Sequence, residues 1–260
     1  MPSHIKARVD PPCGTIIVDR PAKRNALSRQ MVTDLRQAFS DLHQQKSIRG
    51  VILTGAGDTF SAGSDLTEMH NTLQADDPQP QWFEDAMNYR ELLEEMLRFP
   101  MPIIAAVNGP ALGHGAGLVL AADLVIASKN AAFGFPETRR GLVASCATPL
   151  LTFRLGGSRA ANMLFTAELT DATAAQQLGL YRELVPHDFL WARARELIGV
   201  CAAGAQEAHA LTKRTLNDTV GEQLSMWMTT GAAASATAKT TEAAAEGIKA
   251  FVEKREPNWP

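Results

Sequence analysis

The stretch Ile103-Ile104-Ala105-Ala106-Val107-Asn108-Gly109-Pro110-Ala111-Leu112-Gly113-His114-Gly115-Ala116-Gly117 decides the fold class. Its first five residues form an uninterrupted apolar run behind Pro100 and Pro102, as a strand covered on both faces does. A glycine-rich turn and a short helix of small residues follow, and Leu124-Val125-Ile126-Ala127 then reads as the next strand. Working outward, Thr15-Ile16-Ile17-Val18 and Val51-Ile52-Leu53-Thr54 are strands of the same kind. Between them Val32, Leu35, Phe39 and Leu42 keep helical spacing, with Ser28 placed to cap the helix. Tyr89, Leu92, Leu93 and Met96 form a second stripe that stops before Pro100.

This alternation predicts an α/β architecture to about Val185. Beyond residue 188, Leu190, Ala194, Leu197, Ile198 and Cys201 keep helical spacing and no strand-like run follows. The expected division is an α/β core over residues 1–187 and an all-helical region over 188–260. Ala202-Ala203-Gly204-Ala205 should separate two helices. The Ala- and Thr-rich stretch from Ala232 to Ala245 is either closely packed on its small residues or partly mobile. Leu73 to Gln81, polar and carrying two prolines, reads as a loop.

Composition narrows the function. Of 260 residues, 45% are hydrophobic and 20% charged, close to globular averages. A net charge of -3 gives no bulk attraction to nucleic acid or to an anionic membrane. Cys13, Cys146 and Cys201 lie far apart with no metal-ligand spacing, and no His-Glu-x-x-His occurs, so no metal is implied. Met1-Pro2-Ser3-His4-Ile5-Lys6 lacks the apolar centre of a secretory signal, and the expectation is a cytoplasmic protein or the mature form of an organellar one.

Two strand-to-helix junctions carry the chemistry. One runs Gly55-Ala56-Gly57-Asp58-Thr59-Phe60-Ser61-Ala62-Gly63-Ser64-Asp65-Leu66, the other Asn108 to Gly117. Each puts unpaired N–H groups at a helix start, where positive partial charge collects. Two such junctions converging could hold an oxygen that becomes negative during reaction. Tight packing of helix on strand would demand the same glycines. A dinucleotide fingerprint is not met, because Leu118 stands where its last glycine is needed. Glu137 follows Phe133-Gly134-Phe135-Pro136. Taken with Arg139 and Arg140 it reads as a surface ion pair; turned into an apolar pocket it would be an acid or base. Cys146 has no His nearby in sequence to activate it and reads as a packing residue.

The order Asp19-Arg20-Pro21, Asn25-Ala26-Leu27, Phe60-Ser61-Ala62-Gly63-Ser64-Asp65-Leu66, Asn108 to Gly113 and Phe133 to Glu137 resembles the enoyl-CoA hydratase/isomerase (crotonase) superfamily. Glu246-Gly247-Ile248-Lys249-Ala250-Phe251-Val252-Glu253-Lys254-Arg255 resembles that family's closing helix. The resemblance implies a crotonase-like α/β spiral of ββα units with a C-terminal helical trimerisation region, assembled as a homotrimer or a hexamer. It implies an acyl-CoA thioester as substrate, with coenzyme A as part of that substrate and no other cofactor. The thioester oxygen would sit between the N–H groups of Ser64 and His114, and Glu137 would move the proton. Lys23, Arg24, Ala26, Ala62, Asp65, Leu66 and Lys254 would contact coenzyme A, and the Ser145 hydroxyl would orient a water.

Two positions depart from the family. His114 stands where glycine is usual, so its imidazole is either packed aside or a proton donor or specificity element. Gly117 stands where the hydratases carry their first glutamate, which leaves a single carboxylate. The expected activity is therefore hydration or isomerisation through a thioester enolate with Glu137 alone. Thioester hydrolysis, decarboxylation, retro-aldol cleavage and acyl-CoA binding without catalysis stay open as alternatives.

Overall fold

The computed structural model describes residues 3–219 and 221–259; Met1 and Pro2, which begin the segment read for a leader, lie outside the described residues. The chain opens with β1 (Ile5–Asp10), β2 (Cys13–Val18), α1 (Arg29–His43), β3 (Gly50–Gly55), α2 (Leu66–Thr72) and α3 (Gln79–Arg98). It continues through β4 (Ile103–Val107), β5 (Ala111–Leu112), α4 (His114–Ala121), β6 (Leu124–Ser128) and β7 (Ala132–Gly134). Next come α5 (Thr148–Leu155), α6 (Gly157–Thr166), β8 (Thr170–Asp171), α7 (Ala172–Gln177) and β9 (Glu183–Val185). Four helices close it: α8 (Leu190–Ala202), α9 (Gln206–Asp218), α10 (Gly221–Ala238) and α11 (Glu242–Glu253).

The larger sheet has the order β1-β2-β3-β4-β6-β9, parallel except for the β1–β2 hairpin. A smaller sheet, β5-β7-β8, lies outside it. The unbroken apolar run of β4 has a direct cause, because both faces of the large sheet are covered. Ile52, Ile104, Ala106 and Ile126 meet Leu190, Ala194, Leu197 and Ile198 of α8. Leu53, Ala105 and Val107, one residue along, face the core formed by Leu35 and Phe39 of α1 and Leu92, Leu93 and Met96 of α3. Each fully buried side chain of this size contributes about 1.5–3 kcal/mol.

Ser28 caps α1 as its position suggests, its Oγ accepting from the N–H of Met31 at 3.3 Å. The loop expected over Leu73 to Gln81 is shorter, because α3 already begins at Gln79. Pro80 falls in the first turn, where its missing N–H costs the helix nothing. The Ala-rich C-terminal stretch is closely packed rather than loose. Ala232, Ala236 and Ala244 are buried, and a side chain at Gly231 would collide with the Ser145 carbonyl. Small residues are what let α10 lie that close to the backbone after Leu142. No described helix is long and apolar enough to cross a membrane.

Two buried asparagines hold the loops that follow β2, β3 and β4. Asn25 accepts from Arg20 N–H at 2.9 Å and donates to the carbonyls of Ala56 at 2.9 Å and Thr59 at 2.6 Å. Asn108 accepts from Gly55 N–H at 3.1 Å and donates to Gly57 O at 2.7 Å. Asn25 also holds a left-handed φ of 55°, which asparagine tolerates better than most residues. Asn25→Ala removes three hydrogen bonds and should lower stability by about 2–4 kcal/mol in denaturant unfolding; a loss below 0.5 kcal/mol would show the loops stand without it.

Candidate functional site

The two glycine-lined bends touch each other. Gly63 and Gly113 both have positive φ, 96° and 52°, which disfavours any residue with a Cβ. A Cβ added at Gly63 would lie 2.9 Å from Leu112 O and 3.5 Å from His114 N. Backbone pairing fixes this approach. Ser61 pairs with Ala111, and Leu112 N–H donates to Ser61 O at 2.9 Å. On the far side, Leu27 N–H donates to Gly63 O at 2.7 Å and Asp65 N–H to Leu27 O at 2.9 Å. Alternation along an extended segment then turns the Ser64 N–H away from Leu27. Neither it nor the N–H of His114, first residue of α4, has an acceptor among the described residues. Ser64 and His114 line one narrow cavity together with Met69, Asp85, Tyr89 and Lys239.

Glu137 comes to the same place from the other sheet. Gly113 N–H donates to Gly134 O at 3.0 Å, which draws the end of β7 to the second bend, and Glu137 sits three residues on. A Cβ at Gly113 would lie 2.6 Å from Glu137 Oε1, so that glycine keeps the space in front of the carboxyl group clear. Oε2 is buried with no hydrogen-bond partner among the described residues. Burial pushes the Glu137 carboxyl up to about 7. The ion-pair reading of Glu137 is thereby overturned. Arg139 donates instead to Thr166 O at 3.1 Å, and the Arg140 guanidinium lies 5.1 Å from the Phe251 ring centre.

The two departures from the family explain each other. The His114 imidazole lies flat on Tyr89, with ring centres 3.7 Å apart and planes 7° from parallel. Burial, with the charge of Lys239 second, pushes this imidazole down to about 3, so it stays neutral and is no proton donor at ordinary pH. The Tyr89 hydroxyl donates to His114 O at 2.7 Å. A side chain at Gly117 would collide with that hydroxyl. The phenol therefore fills the place a glutamate at 117 would enter. Burial, then the nearby Cys146 and Glu137, pushes the Tyr89 phenol well above its ordinary range, so it is a donor and not a base.

The remaining predicted residues are divided. Lys23 and Arg24 are exposed on the loop before Leu27, where Arg24 O accepts from Ala62 N–H at 2.9 Å and Ala26 O from Arg20 at 3.1 Å. Asp65 lines the cavity, but its carboxylate caps α2 and pairs with Arg20 at 2.6 Å. Leu66 packs with Met69, Leu142 and Ile248. Ser145 is not brought to the cavity. Its hydroxyl donates to Gly231 O at 2.6 Å, which uses its proton to anchor α10 and leaves it unsuited to orient a water. Lys254 ends α11 in a left-handed turn and does not line the cavity either. Cys146 is buried beside α3, 3.9 Å from Ala86 O, and burial pushes its thiol up to about 11, so it packs and does not attack. Sequence reasoning missed Tyr89, which it placed in an ordinary core stripe, and Lys239. The signal for Lys239 was a lone cation inside a run of alanines.

The enoyl-CoA hydratase/isomerase family model matches residues 13–260. The chain belongs to this family. It is 34% identical over 252 residues to the 2,3-dehydroadipyl-CoA hydratase of Escherichia coli, covering 94% of this chain and 93% of that one. It is 31% identical over 250 residues to the crotonyl-CoA hydratase of Syntrophomonas wolfei, covering 94% and 93%. The fold matches the crystal structure of an enoyl-CoA hydratase/isomerase from Mycobacterium paratuberculosis with a TM-score of 0.87 and 27% identity, over 96% and 98% of the two chains. This member of the hydratase/isomerase family is thus a crotonase-fold enzyme in which the Tyr89 hydroxyl occupies the space beside Gly117.

If Tyr89 and Gly117 compete for one space, their substitutions must couple. Gly117→Ala should cost about 1–3 kcal/mol by overpacking, and Tyr89→Phe should recover at least half of that in the double mutant. Denaturant unfolding of the four proteins gives the coupling directly; additive costs would mean the two residues do not share the space.

Proposed function

We propose that this chain hydrates or isomerises a 2-enoyl- or 3-enoyl-CoA thioester through an enolate, with Glu137 as its single acid/base. The observation that carries the reading is the Glu137 carboxyl group, buried with one oxygen unpartnered beside two backbone N–H groups that lack acceptors. The N–H groups of Ser64 and His114 would receive the thioester oxygen. Donors already fixed in a dry site stabilise the enolate charge without reorganising, and each such donor is typically worth about 3–4 kcal/mol.

In isomerisation Glu137 takes a proton from the α-carbon, leaving the electron pair on the oxygen between the two N–H groups. It then returns the proton to the γ-carbon. In hydration it takes a proton from the attacking water as the C–O bond forms at the β-carbon. The same proton then goes to the α-carbon of the enolate. Both routes need one carboxyl group and start from its ionised form. The neutral His114 ring and the high Tyr89 phenol do not compete with Glu137 for the proton.

Lys23 and Arg24, exposed before the first bend, and Lys254, at the end of α11, are proposed to meet the phosphates of coenzyme A. Exposed Leu211 and Leu216 on α9, with Met226 and Trp227 on α10, support self-association through the 188–260 region as a homotrimer or a hexamer.

Mass spectrometry of a panel of enoyl-CoAs should show water addition or double-bond migration, and no loss of carbon dioxide. Glu137→Gln should cut turnover by about 10²–10⁴-fold; a mutant as active as the parent would remove Glu137 from the mechanism. For the parent, kcat/KM should rise with pH along a single-proton limb centred near 7, since the ionised form is the one that takes the proton. Stability should run the opposite way. A carboxyl group raised in the folded state favours the fold below its ordinary value, and that gain is lost as pH rises through about 7. Glu137→Gln should therefore be the more stable protein at pH 8 in thermal unfolding, and equal or lower stability there would contradict the burial of an ionised Glu137.

A further inference from the structure

Two cations line this cavity without a part in the enolate chemistry, Arg29, which is paired with Asp85, and Lys239. It follows the last residue of α10, its N–H donates to Ser235 O at 3.4 Å, and only 4% of its surface is exposed. Its side chain makes no hydrogen bond and no ion pair among the described residues. The charges around it are already committed. Asp85 accepts from Arg29 through both oxygens, at 2.6 and 2.9 Å, and Arg29 also donates to Thr72 at 2.5 Å. Cys146 is a thiol and His114 a neutral ring, as their surroundings require. A buried ammonium without a partner is costly, and burial duly lowers its proton affinity. By contrast Lys213, the other buried lysine near the sheet, is paired with Asp123 at 2.7 Å.

We propose that Lys239 binds a carboxylate at the far end of the acyl group, so that the preferred substrate is a short enoyl-CoA ending in a carboxylate. This rests on the function proposed above and names the substrate class of that same cavity. Ser64 and His114, which would hold the thioester oxygen, and Lys239 line one narrow cavity. An acyl group held at one end by the two N–H groups would point its other end along this space. A methyl end would leave the ammonium desolvated and unpaired. A carboxylate end would neutralise it, since the carboxylates that line the cavity are already held, Asp85 by its two bonds to Arg29, Glu68 by the Arg29 N–H and Asp65 by Arg20. Recognition of this kind discriminates strongly, because the wrong substrate leaves a buried charge alone.

The test compares kcat/KM for 2-enoyl-CoAs of four to eight acyl carbons ending in a carboxylate with those of equal length ending in methyl. At the best length the parent should favour the carboxylate end by at least about 100-fold. Lys239→Met should collapse that ratio to near one, and Lys239→Arg should retain much of it. A parent that prefers methyl ends, or a Lys239→Met ratio equal to the parent's, would overturn the proposal. Equal losses on both series in Lys239→Met would do so as well, and would make Lys239 a structural or proton-carrying group. Dissociation constants of the saturated acyl-CoAs of both series for the parent protein provide a second readout that needs neither turnover nor a folded variant. If neither enoyl series is turned over, the hydratase/isomerase reading fails; tighter binding of the carboxylate-ended thioester by about tenfold or more would still support Lys239, and equal binding would refute it.

Discussion

The approach of the first bend to the second, peptide against peptide, is the constraint on which the rest of the site depends. Gly63 lies against Leu112 O and His114 N with no room for a side chain. That contact holds because the strands feeding the two bends, β3 and β4, are parallel neighbours in register, Leu53 beside Ala105 and Thr54 beside Ala106. The loops leave the same end of the sheet and are cross-tied by Asn108 and by the pairing of Ser61 with Ala111. Ligand sites in open parallel sheets form at such strand ends. Here the result is a pair of backbone N–H groups without acceptors among the described residues.

Around this pair, the cavity is built by substitution of one polar group for another. Gly117 opens a space and the neutral Tyr89 hydroxyl closes it. The same phenol ring supports the His114 imidazole, which fits because it is stacked and uncharged. Glu137 is left as the ionisable group with a value near neutrality, set by burial and not by a charged neighbour. Electrostatically, the carboxylates that line the cavity are held by partners, Asp65 by Arg20 and Asp85 by Arg29, and Lys239 has no such partner among the described residues.

Much of the architecture was legible from one chain, and the reasons are local. Runs such as Ile103–Val107 have no second reading once prolines bound them, and Ser28 could be named as a cap because only a few side chains can accept at a helix start. The bends could be named because glycine spacing is a backbone property. The end of the 73–81 loop was misplaced because proline in a first helical turn looks, in sequence, like proline in a loop. Glu137 illustrates a different limit. Its neighbours suggested a surface pair, and the family resemblance was needed to suggest otherwise.

By itself the sequence determined the strand and helix order, the two bends and the absence of a second carboxylate at position 117, since each of these is a property of neighbours along the chain. The tertiary structure decided what fills the gap at Gly117, where the Ser145 hydroxyl spends its proton, and which lysine shares a cavity with Ser64 and His114. Tyr89, Gly231 and Lys239 lie 28, 86 and 125 positions from Gly117, Ser145 and His114. Burial and proximity across such separations depend on how α3 and α10 pack, and that packing has no trace in local spacing.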